Sequence, residues 1–306
     1  MSEFPAPDFV ETVEHRRFAE FSEACLANRY IGLCHGAPGV GKTLSARRHA
    51  RWTAWDDTEI HRIPDGPLAD MSTRNTAFWT APVVSSPRSI EEAIRHLLTH
   101  MLAIARTPIE RAQTTAVQAR VAEFERENDR YFKERSAGLA VGPRPEREYF
   151  TVADRFRAAL KNLGSPTRLI IVDEADRLKV SGLEALRDLF DHGEFGLVLI
   201  GMPGMEKRMA RYAQLYSRIG FVHEFRPLQE ADVSALLVDG WRPDGVDRRP
   251  IEADAIAAVQ RITGGNFRLL QRVLTQSERI AEINGLETIT ASVVETARDT
   301  LVIGQT

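Results

Sequence analysis

The chain has 306 residues, 43% of them hydrophobic and 27% charged, with a formal net charge of -3. That length can bury a substantial core as one large domain, or as one domain plus a smaller one. The slightly acidic balance excludes a globally basic nucleic-acid binder but leaves room for a local basic stripe, and two cysteines, Cys25 and Cys34, exclude a disulfide framework and read as buried thiols.

Residues 1–11, with Pro5 and Pro7, read as a loose lead-in. They lack a basic segment followed by an apolar one, and nowhere does the chain approach the roughly 20 apolar residues that span a bilayer, so a cytoplasmic location without membrane contact is expected. Val13, Phe18, Phe21, Ala24 and Cys25 predict a helix over 12–28.

Ile31, Leu33 and Cys34 then form a short apolar run suited to a buried strand. It leads directly into Gly36-Ala37-Pro38-Gly39-Val40-Gly41-Lys42-Thr43, which fits G-x-x-x-x-G-K-[ST] at every fixed position. Glycines let backbone N–H groups approach a polyphosphate, and the helix that follows aims its positive end at the same anion. Residues Gly36 to Leu44 are therefore the expected ATP contacts, with Lys42 on the β- and γ-phosphates and Thr43 on Mg²⁺. The helix is expected to turn Leu44, Arg47, Arg48, Arg51 and Trp52 to one face.

A polar loop is expected over 56–77 and a second strand over Phe78–Val84, placed at an edge or bulge by Pro82. Ser89 is the expected cap of a helix whose apolar face is Ile90, Ile94, Leu97, Leu98, Met101 and Leu102. An insertion follows at 107–150, where Val117, Val121, Phe124 and Tyr131–Phe132 predict a separate long helix with one apolar seam, ending in a flexible stretch at Gly138–Pro145. Its charges balance, so both a packed surface hairpin and an element that contacts a partner or DNA stay open.

After a helix over Thr151–Leu163, the run Arg168-Leu169-Ile170-Ile171-Val172-Asp173-Glu174 has the continuous apolarity of a parallel strand buried on both faces. Its two terminal carboxylates sit where open α/β sheets place ligands. Asp173 is the candidate Mg²⁺ holder, and Glu174 the candidate base for a water aimed at the γ-phosphate.

A helix over Ser181–Phe190, a strand over 196–200, a helix with Lys207, Arg208 and Arg211, and a fifth strand over Phe221–Phe225 complete the sheet layer. From Glu230 onward the pattern is wholly helical, with segments at 230–238, 252–263, 266–283 and 290–301. The expected organisation is a lead-in 1–11, an α/β nucleotide-binding domain 12–227, and a helical lid 228–306.

The P-loop, the Asp-Glu strand end, Arg218 before the fifth strand and Gly264-Gly265-Asn266-Phe267-Arg268 in the lid together resemble the AAA+ ATPases. That resemblance implies a parallel five-stranded sheet flanked by helices, followed by a small all-helical lid. The stretches VDEADRL, LIGMPGMEKRMARYAQLYSRIGFVHEF and GGNFRLLQRVL resemble the transposition regulators of the TniB, TnsC and MuB kind, related to IstB. The compact TniB and TnsC types are the nearer match, because members with an N-terminal DNA-binding helical domain carry more chain ahead of the P-loop.

The resemblance implies an ATP-dependent protein that forms a ring or filament on duplex DNA and delivers that DNA to a transposase. It assigns Arg218 as an arginine finger for the neighbouring subunit and Arg268 as sensor 2. Gly201-Met202 stands where the family usually has a polar sensor 1 residue, which implies slow hydrolysis. Arg88, Arg106 and Arg111 are the candidate phosphate contacts to DNA. A helicase loader and a protein-remodelling or signalling ATPase without DNA contact are the alternative functions.

Overall fold

The computed structural model describes residues 9–52, 74–146, 149–238 and 249–301, with side chains left out for 149–152. The predicted loop at 56–77 and the loop at 240–250 therefore lie mostly outside the described residues.

Five parallel strands form one sheet in the order β2-β3-β4-β1-β5: β1 Ile31–His35, β2 Thr76–Thr80, β3 Leu169–Asp173, β4 Gly196–Gly201 and β5 Ile219–Glu224. The central strands β3 and β4 are buried at every position, as the runs LIIVD and GLVLIG require when helices cover both faces. Edge strand β5 alternates half-buried with exposed residues.

Helix α1, Val13–Asn28, is capped by the Thr12 hydroxyl and packs on β1, β3, β4 and β5. Helix α2, Lys42–His49, follows the glycine-rich loop, and its buried positions are Lys42, Ser45 and Ala46. Leu44 is 56% exposed and faces the cavity described below, while the small side chains of Ser45 and Ala46 turn inward. The helix ends at His49, so Arg51 and Trp52 lie beyond it rather than on its predicted face, and Trp52 is buried.

Strand β2 stops at Thr80, before Pro82, and lies at the sheet edge. Pro82 has no N–H to continue a ladder, which leaves Val83 and Val84 in solvent rather than in the predicted strand. The next helix, α3, is capped by Ser86 instead of Ser89; Pro87 takes the first helical position, and Ser86 and Ser89 form a reciprocal capping box.

Helix α3 runs unbroken from Pro87 to Ser136, 50 residues that merge the helix predicted from Ser89 with the long helix predicted within the 107–150 insertion. At 1.5 Å per residue it is about 75 Å long. Its buried face is Ile90, Ile94, Leu97, His100, Met101, Ile104 and Ala105, packed partly on α5, Val180–His192. Beyond Ala105 no residue of α3 is buried, and Pro108, which removes the hydrogen bond to the Ile104 carbonyl, stands at that transition. Val117, Val121, Phe124 and Tyr131 are half-buried on one seam of this projecting arm. Helix α4, Tyr149–Asn162, returns along α3 to the core.

The short helices α6, Met205–Met209, and α7, Ala213–Tyr216, lead into β5. Four further helices, α8 Glu230–Val238, α9 Ala253–Thr263, α10 Phe267–Ile283 and α11 Ala291–Thr300, fall within a few residues of their predicted bounds. They enclose a second core built on Val233, Val259, Leu270, Val273, Leu274 and Val294. Among the described residues no helix is long and apolar enough to cross a membrane.

Candidate functional site

The glycine-rich loop leaves β1 at its carboxyl end and closes on α2 through Gly41, whose φ of 110° suits glycine alone. No side chain caps α2, so the N–H groups of its first turn point out of the helix end toward the loop. With the helix dipole they form a ready seat for an anion. Lys42, the first residue of α2, is buried, and its ammonium donates to the carbonyls of Gly36 and Ala37 at 2.6 and 2.8 Å. Burial lowers its pKa, against the opposing pull of Asp173, Glu174 and Asp176.

Strand β3 delivers the carboxylates. Asp173 is buried, accepts the Thr43 hydroxyl at 2.6 Å on Oδ2 and accepts the Glu174 N–H at 2.9 Å on Oδ1. Glu174 bends the chain into the left-handed region at φ 55°. Its carboxylate is partly exposed and lies 3.6 Å from the Arg177 guanidinium, which also donates to the Ala81 carbonyl beyond β2.

Mg²⁺ prefers oxygen ligands and takes one or two from protein, with phosphates and water completing its shell. The hydroxyl of Thr43 and the carboxylate of Asp173 fit that demand. Among the described residues no group of three or more His, Cys, Asp or Glu forms a self-sufficient metal cage.

The lid closes the site from the other side. Asn266 caps α10, accepting from the N–H groups of Arg268 and Leu269, and donates its own Nδ2 to the Pro38 carbonyl at 2.8 Å. The Arg268 N–H donates to the Gly39 carbonyl at 3.1 Å. A side chain on Gly39, at φ 82°, would stand 2.6 Å from Asn266 Oδ1, so this glycine admits the lid as well as the turn. The resulting cavity of about 320 Å³ is lined by residues 38–45, Asp173, Glu174, Gly201, Met202, Phe225, Phe267, Arg268 and Gln271, with Phe9, Val10 and Thr12 from the chain ahead of α1.

Gly36 to Leu44, Asp173, Glu174 and Arg268 are thus assembled at one place: Gly36 and Ala37 through their carbonyls on Lys42, the others on the cavity wall. Among the described residues the exposed Arg268 guanidinium holds no hydrogen bond or ion pair. Arg218 does not line the cavity; its guanidinium forms a bidentate pair with Asp191 on α5. Arg88 is exposed and paired with Glu92, and Arg106 and Arg111 are also exposed. Along α3, Arg88 and Arg106 share a face about 27 Å apart, while Arg111 lies about 140° round the helix.

Sequence reasoning missed Asn266 as the latch, Asp191 as the partner of Arg218, and the apolar wall of Phe9 and Val10. For Asn266 the signal was present, since an Asn ahead of a periodic apolar run is a helix cap.

A loop-helix phosphate seat, an acidic strand end and a helical lid define a P-loop nucleotide hydrolase. The chain belongs to the AAA family of ATPases: a model described as AAA domain matches residues 26–209. It is 36% identical over 304 residues to a potential ATP-binding protein of Staphylococcus aureus, covering 97% of each chain. It is 26% identical over 259 residues to the ATP-dependent target DNA activator B of Escherichia phage Mu, covering 80% of this chain and 60% of that protein. Among solved structures the Thermotoga maritima RuvB Holliday junction branch migration motor shares the fold, with a TM-score of 0.51 at 14% identity over 98% of this chain and 74% of that one.

Proposed function

We propose that this ATPase binds duplex DNA in its ATP state as a ring or filament and presents that DNA to a transposase, with hydrolysis dismantling the assembly. The observation that carries the reading is the sequence relationship to phage target DNA activators, which extends over 80% of this chain. The division into a lead-in 1–11, a nucleotide-binding core 12–227 and a lid 228–306 belongs to the same reading and is supported by the separate core of the C-terminal helices.

In this mechanism Lys42 trades its bonds to the loop carbonyls for the β- and γ-phosphates. Thr43 and Asp173 would hold Mg²⁺, which would neutralise phosphate charge when bound. Glu174 takes a proton from the attacking water, and Arg268 senses the γ-phosphate from the lid. Arg218 acts on the cavity of a neighbouring copy, where positive charge on the transferring phosphoryl group stabilises its transition state. The exposed Arg88 and Arg106, on one face of α3, and Arg111 are the proposed contacts to DNA phosphates.

Filter binding to random-sequence duplex DNA tests this reading. Binding is expected with ATP or a non-hydrolysable analogue, weakly or not at all with ADP, and with an affinity that falls steeply as salt rises, because phosphate contacts release counterions. Binding that is absent in every nucleotide state at low salt, or flat across the salt series, contradicts it.

A further inference from the structure

The first five turns of α3 bury one face, built on Ile90, Ile94, Leu97, Met101 and Ile104. The face opposite carries arginines. At 3.6 residues per turn Arg95 falls about 20° from the line that joins Arg88 to Arg106, so the three form one stripe at about 0, 10 and 27 Å along the axis. All three are exposed, and among the described residues the guanidinium groups of Arg95 and Arg106 hold no hydrogen bond or ion pair. Arg88 pairs with Glu92 at 2.8 Å, both side chains being mostly in solvent, where such a pair is weak. Between Arg95 and Arg106 the stripe carries Thr99 and Leu102 and no carboxylate. Farther out on α3 the pattern changes, since Arg120 and Arg130 are paired with Glu123 and Glu134.

We infer that Arg95 is a phosphate contact between Arg88 and Arg106, and that the three arginines meet successive phosphate rows of one duplex lying along this part of α3. The inference rests on the DNA-binding reading above and gives it a site and a direction. Along one side of a duplex the phosphate rows are parted in turn by the minor groove, about 6 Å wide, and the major groove, about 12 Å wide, before the breadth of the phosphates is added. The pattern repeats with each duplex turn of about 34 Å. The stripe has the same order of steps within that length, about 10 Å from Arg88 to Arg95 and about 16 Å from Arg95 to Arg106. Arg88 and Arg95 therefore straddle the minor groove, Arg95 and Arg106 the major groove, and the flexible arginine stems take up the difference. Contacts of this kind hold the duplex in place without reading its sequence.

Filter binding of random-sequence duplex DNA with a non-hydrolysable ATP analogue tests the assignment. Each phosphate contact makes affinity fall about threefold between about 50 and 200 mM salt. Across that range Arg95→Ala is expected to fall about threefold less than the parent, with an unchanged melting temperature. The double variant Arg88→Ala with Arg95→Ala is expected to fall about tenfold less, as two separate phosphates require. Arg126→Ala removes an exposed cation from the far side of α3 and is expected to keep the parent's salt dependence. An unchanged salt dependence in Arg95→Ala, from protein that binds DNA, overturns the inference and leaves DNA binding standing. A double variant no different from Arg95→Ala overturns the alignment, and an equal loss in Arg126→Ala reduces the effect to overall charge and overturns the site. A parent that binds no duplex at low salt removes the DNA-binding reading itself, and this inference with it.

Discussion

Arg218 and Asp191 meet through two parallel hydrogen bonds, Nε to Oδ1 at 2.5 Å and Nη2 to Oδ2 at 2.7 Å, on a face that does not contribute to the chain's own cavity. Asp191 has a second cation, since Arg187 lies 2.7 Å from its Oδ2. Release of Arg218 therefore does not strand a lone carboxylate, and pairs at this exposure hold about 1 kcal/mol at most.

If Arg218 serves a neighbouring copy, Arg218→Ala keeps ATP affinity and loses about 1,000-fold in hydrolysis. Asp191→Asn raises hydrolysis by up to about fivefold at limiting protein concentration, because the arginine gives up a weaker partner. Rates measured across a protein dilution series check both outcomes.

The hydrogen bond from Arg218, aided by the charges of Arg218 and Arg187, holds the Asp191 carboxyl below its ordinary value of 3.8. A carboxyl whose folded pKa lies below its unfolded one stabilises the fold above the unfolded value, and the gain is lost as pH falls through the folded value. The difference in thermal stability between the parent and Asp191→Asn is expected to be flat from pH 8 to 5 and to close below about pH 4. Thermal melts across that series read it directly.

Asn266 serves two ends at once, capping α10 and latching it to the loop at Pro38. Asn266→Ala loses both, at about 1 kcal/mol for the cap alone. Asn266→Asp keeps a capping oxygen but has no N–H for the Pro38 carbonyl. It is expected to melt near the parent while binding ATP several-fold more weakly, whereas the alanine variant falls in both measurements.

Arg177 holds Glu174 at 3.6 Å while reaching the Ala81 carbonyl at the root of the exposed Val83–Val84 loop. The pair restrains the proposed base. Arg177→Ala is expected to raise hydrolysis without DNA about two- to fivefold, measured as steady-state phosphate release.

Beyond Ala105 the α3 arm contributes nothing to the buried core. Replacing residues 111–146 by a Gly-Ser linker is expected to leave ATP affinity within about twofold and the melting temperature within about 2 °C. Calorimetry and thermal melts check this. Any larger loss assigns the arm a structural role.

The nucleotide site was legible because its chemistry is local. A phosphate seat needs glycines, a lysine and a hydroxyl within eight residues, and β3 announces itself by unbroken apolarity before Asp173. The lid helices were legible through their 3.6-residue periodicity. What failed was decided by contacts remote in sequence or by competing local rules. The insertion at 107–150 reads as a separate helix, yet α3 passes unbroken through Pro108, forgoing one hydrogen bond. Val83 and Val84 read as strand, but Pro82 ends the ladder first. Asp191 carries no motif of its own; only the fold brings it to Arg218.

Negative-stain electron microscopy of the protein mixed with random-sequence duplex DNA tests the central claim most directly. Rings or filaments are predicted with a non-hydrolysable ATP analogue, absent with ADP and absent for Lys42→Ala. Dispersed particles under all three conditions, from protein shown to bind the analogue, would contradict the account.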